Sequence, residues 1–147
     1  ILNGENVTSL LRTEETGKMA SKTSKYAAVR TKLVALQRGL AKKTDVIMDG
    51  RDIGTTVLPD AFAKIYLTAS SDARAKRRYD ELKEKGENCS FDAIKEDIEK
   101  RDYEDMHRAI SPLKQADDAV LVDTSDMNIE QVVAALSKII DEKKAGR

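Results

Sequence analysis

Arg101, Asp105 and Arg108 stand at i, i+4 and i+7, the spacing that puts an arginine, a carboxylate and a second arginine on one helical face. Two guanidinium forks aimed at one place hold a phosphate through paired hydrogen bonds, and the carboxylate between them can accept from hydroxyls. A sugar phosphate would satisfy all three, although a solvated face laced with ion pairs would show the same spacing. A second group is Asp49-Gly50-Arg51-Asp52-Ile53-Gly54-Thr55, where an acid closes an apolar run and two glycines permit a tight loop that presents Arg51 and Asp52 together. That loop reads either as binding surface or as an exposed turn whose opposite charges pair with each other. A third group, Arg74, Lys76, Arg77 and Arg78, leads into a polar link at 86–89, as in a phosphate-clamping lid or in an ordinary solvated helix.

Other chemistries find little support. His107 is the single histidine and has no thiol or second imidazole near it in sequence, which argues against a His/Cys metal site. Cys89 sits in the polar link with no partner base in view, and no Gly-x-Ser-x-Gly elbow is present. Lys plus Arg and Asp plus Glu both number 26 in 147 residues, so no overall attraction to nucleic acid or an anionic membrane follows, and any anion site must be local. One cysteine forms no internal disulfide, and no apolar run is long enough to span a membrane. The expectation is a cytoplasmic protein with no nucleic-acid or membrane partner. The first residue is not Met and no leader pattern precedes the body, so Ile1 reads as mid-chain.

The elements that must position these residues follow from periodicity. Apolar runs at 46–49, 63–68 and 119–123 read as strands, the first and last ending in an acid, with continuous rather than alternating hydrophobicity as in parallel sheets. Val29, Leu33, Leu36 and Leu40 set one face of a helix that ends near Lys43, with a shorter helix before it at 13–21. Ser70 and Asp72 start a helix over 73–85 that stops at Gly86. Ser90 and Asp92 start another that continues to His107, with Phe91, Ile94 and Ile98 inward. Asn128 and Gln131 form a capping box before a stripe of Ile129, Val132, Val133, Leu136, Ile139 and Ile140, which is read as core. Asn3-Gly4 between apolar residues is a hairpin signal. Strands alternating with helices give an α/β domain with a parallel sheet.

Taken together, Asp49 to Thr55, Lys64-Ile65-Tyr66-Leu67, Arg74-Ala75-Lys76-Arg77-Arg78, and Arg101-Asp102 through Asp105 to Arg108-Ala109 closely resemble bacterial cytidylate kinases, over essentially the whole chain. The resemblance implies the P-loop nucleoside monophosphate kinase fold, with 1–44 as the remainder of the CMP-binding insertion and connecting helix. Residues 45–147 would be the C-terminal part of the core, with a short lid near 74–90. It implies transfer of the γ-phosphoryl group of ATP, with Mg²⁺, to CMP or dCMP. Ser21, Arg30 and Asp52 would contact the cytosine. Arg51, Arg101 and Arg108 would hold the CMP phosphate, Asp105 would accept from the ribose, Asp49 would face magnesium through water, and Arg74 and Arg77 would belong to the ATP lid. Members of the family begin with a strand and a Gly-rich loop carrying a lysine. No Gly-x-x-x-x-Gly-Lys-Ser/Thr occurs in these 147 residues, so the chain is expected to correspond to the C-terminal two-thirds of a kinase and to be inactive alone. Its sheet would then be completed by a missing N-terminal segment or by a second copy. A CMP-binding module without transfer activity and a structural α/β fragment are the alternatives.

Overall fold

The computed structural model describes residues 1–11 and 13–146. The chain divides into two units, 1–47 and 48–147, each described by itself.

The first unit opens on the expected turn. Leu2 N–H donates to Glu5 O at 2.8 Å and Glu5 N–H to Leu2 O at 3.0 Å, with φ of 50° at Asn3 and 90° at Gly4, the double positive φ that a two-residue hairpin loop demands. Helix α1 spans Glu14–Thr23, and the Thr13 hydroxyl caps it by accepting from Thr16 N–H at 3.3 Å. Helix α2 spans Ala27–Ala41. Its apolar stripe forms as the spacing requires, but Val29, Leu33, Leu36 and Leu40 are all exposed. The period fixes which residues share a face; burial needs a neighbour, and within its own unit no described residue covers this face.

The strand expected at 46–49 does not form. Ile47 is 99% exposed, and none of the described residues pairs with this segment in a ladder. A strand apolar on both faces is stable only between hydrogen-bonded neighbours, and without them its hydrophobic run is an extended loop. The other two strands form as expected. Strand β1, Ile65–Thr68, lies parallel to β2, Val120–Asp123, in the register Ile65↔Val120 to Thr68↔Asp123.

Between β1 and β2 the chain crosses over through α3, Ser71–Glu84, and α4, Phe91–His107. Ser70 caps α3 by accepting from Ala73 N–H at 3.1 Å. Gly86, at φ 75°, ends it by letting its own N–H reach Lys83 O and that of Glu87 reach Leu82 O, the paired closure that favours glycine. Tyr79 meets Phe91 edge-on, and Asp72–Lys95, Ser71–Glu99 and Arg74–Asp102 contacts run along the α3–α4 seam. Helix α5, Ile129–Ala145, starts at the predicted capping box, with Asn128 Oδ1 and Gln131 Oε1 each accepting from the other's backbone N–H at 2.9 Å. Its stripe is only partly core: Val132, Leu136, Ile139 and Ile140 are half-buried, whereas Ile129 is 82% exposed and Val133 is also open. Only Val57, Ala69, Ala75 and Val122 are buried apolar residues among those described. A two-stranded parallel sheet with so small a core leaves Leu67 and Leu121 open, although such sheets are ordinarily covered on both faces.

Lys64 holds the loop that precedes β1. Its ammonium donates to Pro59 O and pairs with Asp118 Oδ1, each at 2.5 Å, and its stem passes Gly54, where a Cβ would stand 3.3 Å from Lys64 Cδ. The Lys64 ammonium holds the Asp118 carboxyl below its ordinary range. Because the folded pKa is depressed, the stabilisation is present above the ordinary carboxylate pKa and is lost as pH falls through the lowered value. Lys64→Met is expected to return Asp118 to the ordinary range in a carboxyl-carbon NMR titration; an unchanged titration would mean that the pair does not form.

Candidate functional site

Asp105 is the centre of the most developed polar cluster. It is 7% exposed, on the last full turn of α4, and Arg51 and Arg108 approach it from two sides. Its Oδ2 faces the Arg51 Nε in an ion pair, and its Oδ1 lies 3.5 Å from Arg108 Nη1. Two guanidinium groups around one buried carboxylate leave a local excess of one positive charge. In a partly desolvated place such an excess is offset by an anion, and the fork geometry suits phosphate.

The convergence is not reached as the i, i+4, i+7 spacing suggested. Helix α4 ends at His107, and Arg108 has left it with φ −66° and ψ 143°. The chain then folds beneath the helix end, where Leu113 N–H donates to Asp105 O at 2.8 Å. Arg108 reaches back from this turn, its Nε donating to Ser111 O at 2.5 Å. Pro112 forbids helix continuation and so makes the turn. Arg101 remains on α4, exposed, and makes no hydrogen bond or ion pair with the described residues.

Arg51 and Asp52 come from the glycine loop. A Cβ at Gly50 would stand 3.0 Å from Ile53 Cγ1, so glycine is what lets Ile53 fold over the turn. A single π turn, Ile53–Val57, follows, with Val57 N–H donating to Asp52 O and Leu58 N–H to Ile53 O. Such turns are rare and recur at functional sites. Asp52 is half-buried beside Arg51, and Asp49 is exposed at the end of the unpaired segment.

The basic cluster of α3 is anchored within its own unit. Arg74 pairs with Asp102 at 2.6 Å and donates from Nε to Ala69 O at 3.0 Å. Arg77 holds the start of the loop after β2, donating from Nη2 to the carbonyls of Thr124 and Met127 and from Nη1 to Thr124 Oγ1. Arg78 pairs with Glu81 at 2.9 Å. Ser21, on α1, and Arg30, on α2 with Nη1 donating to Ser24 O at 3.4 Å, belong to the first unit and are both half-buried. Three of the residues expected at the site, Arg51, Asp105 and Arg108, are thus brought into direct contact. Thr56 and Ser111, whose hydroxyls lie 3.4 Å apart, carry no signal of a site in the sequence pattern beyond the Ser-Pro pair just past Arg108.

No helix is long and apolar enough to cross a membrane among the described residues. Nor do three His, Cys, Asp or Glu residues converge as a metal site among the described residues.

A family model described as cytidylate kinase matches residues 1–142. Curated proteins called cytidylate kinase are similar across nearly the whole chain. One from Lactobacillus johnsonii is 52% identical over 143 residues, covering 97% of this chain and 62% of that protein. Another from Thermosipho melanesiensis is 47% identical over 142 residues, covering 97% and 65%, and one from Bacteroides thetaiotaomicron is 49% identical over 137 residues, covering 93% and 60%. The chain therefore spans somewhat less than two-thirds of the length of these relatives.

Proposed function

Because the chain belongs to the cytidylate kinase family, we propose that it supplies the nucleoside monophosphate side of a kinase that transfers the γ-phosphoryl group of ATP to CMP or dCMP. The observation that carries this reading is the buried Asp105 carboxylate with Arg51 and Arg108 closing on it. In the transfer, an oxygen of the CMP phosphate forms a bond to the γ-phosphorus as the bond from that phosphorus to ADP breaks. Little covalent work falls to the protein, and acceleration comes from holding the acceptor in line and neutralising charge. Arg51, Arg101 and Arg108 hold the acceptor phosphate, and Asp105 accepts from the ribose hydroxyls.

Asp52 reads the cytosine, whose amino group needs an acceptor. Magnesium would enter with the nucleotide and would supply charge that lowers repulsion between the phosphates, with Asp49 facing it through water. Arg74 and Arg77 serve the ATP lid only by exchanging the partners described above for nucleotide phosphate. The cytoplasm is the compartment in which both substrates are supplied.

A coupled assay on the complete gene product, comparing CMP, dCMP and UMP, tests the reading. CMP phosphorylation is expected, and Asp52→Asn should narrow the preference for CMP over UMP, because uracil places a carbonyl where cytosine has a donor and two acceptors then oppose each other. Equal relative rates in parent and variant remove Asp52 from the base site. Absence of CMP turnover with intact binding favours the binding module.

A further inference from the structure

Ser111 bears on the Asp105 cluster through its backbone conformation, its carbonyl and its hydroxyl. We infer that Ser111 is a positioning residue for Arg108, fixing the direction in which that arginine presents its terminal nitrogens to the phosphate of a nucleoside monophosphate; the inference rests on the function proposed above. Its φ is 49°, the left-handed region that side chains rarely enter, and it is followed by Pro112. Asn3, the other non-glycine residue described with positive φ, lies in a hairpin turn that demands it. No tight hairpin demands it of Ser111, and strained conformations of this kind persist where surrounding contacts over-determine them, often at functional sites.

The contacts are specific. The Ser111 carbonyl accepts from Arg108 Nε at 2.5 Å, occupying the lateral donor of the fork. Nη1 lies 3.5 Å from Asp105 Oδ1, and Nη2 makes no hydrogen bond with the described residues. The fork is therefore fixed at its root by Ser111 and on one side by Asp105, leaving Nη2 without a partner among the described residues, as a pre-organised anion clamp requires. The Ser111 hydroxyl lies 3.4 Å from Thr56 Oγ1 in the π turn that follows Arg51 and Asp52. One residue thus ties together the two segments that carry the paired arginines.

The test uses the complete gene product with Ser111→Gly and Ser111→Val. Glycine enters the left-handed region freely, whereas a β-branched residue resists it. Ser111→Val is expected to raise KM for CMP about tenfold with KM for ATP within about twofold, and Ser111→Gly, which keeps the backbone conformation and the carbonyl but loses the hydroxyl contact with Thr56, to raise KM for CMP by no more than about threefold. A second readout is independent of turnover: the Arg108 Nε–H proton of the ligand-free parent should exchange slowly with solvent and become fast in Ser111→Val.

Fast exchange in the parent overturns the proposal even if the valine variant fails to fold. So does a rise in both KM values together, or a glycine variant as impaired as valine. Slow exchange in a parent that does not use CMP would instead leave the positioning contact standing and remove the kinase reading.

Discussion

Replacing Arg108 with alanine in the complete gene product is expected to lower kcat/KM for CMP by roughly thirty- to a thousandfold, about 2–4 kcal/mol of transition-state stabilisation. The expectation follows from burial and charge together. Asp105 is almost fully enclosed, and Arg108 is one of two cations that offset it. Removing it would deprive the acceptor phosphate of a fork and leave the carboxylate neutralised by Arg51 alone, so the local excess of positive charge that would attract the phosphate is lost. Arg101→Ala should fall in the same range only if Arg101 closes on the phosphate when substrate arrives, since it has no partner among the described residues without it. Steady-state kinetics with CMP as the varied substrate measure both. An effect below about tenfold for Arg108→Ala would make the cluster a structural ion network rather than a phosphate site.

A polypeptide of these 147 residues alone is expected to show no measurable phosphorylation of CMP by ATP, a loss larger than that of any single arginine. Nothing in its sequence can cradle the β- and γ-phosphates with backbone N–H groups and a lysine. The same polypeptide should be marginally stable or self-associating, because among the described residues the segment 46–49 has no ladder partner and the apolar face of α2 is exposed. Light scattering with thermal unfolding, beside a radiometric kinase assay, decides it. A dilute monomer with a sharp transition and real turnover would show that these residues are a self-sufficient enzyme.

Local signals in the sequence agree with the structure. The caps at Ser70, Ser90 and Asn128, the stop at Gly86 and the Asn3-Gly4 turn all formed as expected, because each is a contact within a few residues of the chain. The paired strands formed too. What failed was whatever depends on a distant neighbour: the strand at 46–49 and the burial of Ile129 and Val133. Periodicity names a face but not its partner. At the site, helical spacing placed Arg108 beside Asp105 for the wrong reason, since the helix ends one residue earlier and a turn at Ser111-Pro112 restores the contact. The Arg51–Asp105 pair joins residues far apart in the chain, and neither periodicity nor spacing reveals such a contact.

The most direct test of the phosphate site is a calorimetric cycle that titrates CMP and cytidine into the complete gene product and into its Arg108→Ala variant. If Arg108 holds the phosphate, the parent should bind CMP at least tenfold more tightly than cytidine, the variant should lose most of that difference, and cytidine should bind both proteins about equally. CMP and cytidine binding alike to the parent, or an Arg108→Ala variant that weakens both ligands by the same factor, would contradict it.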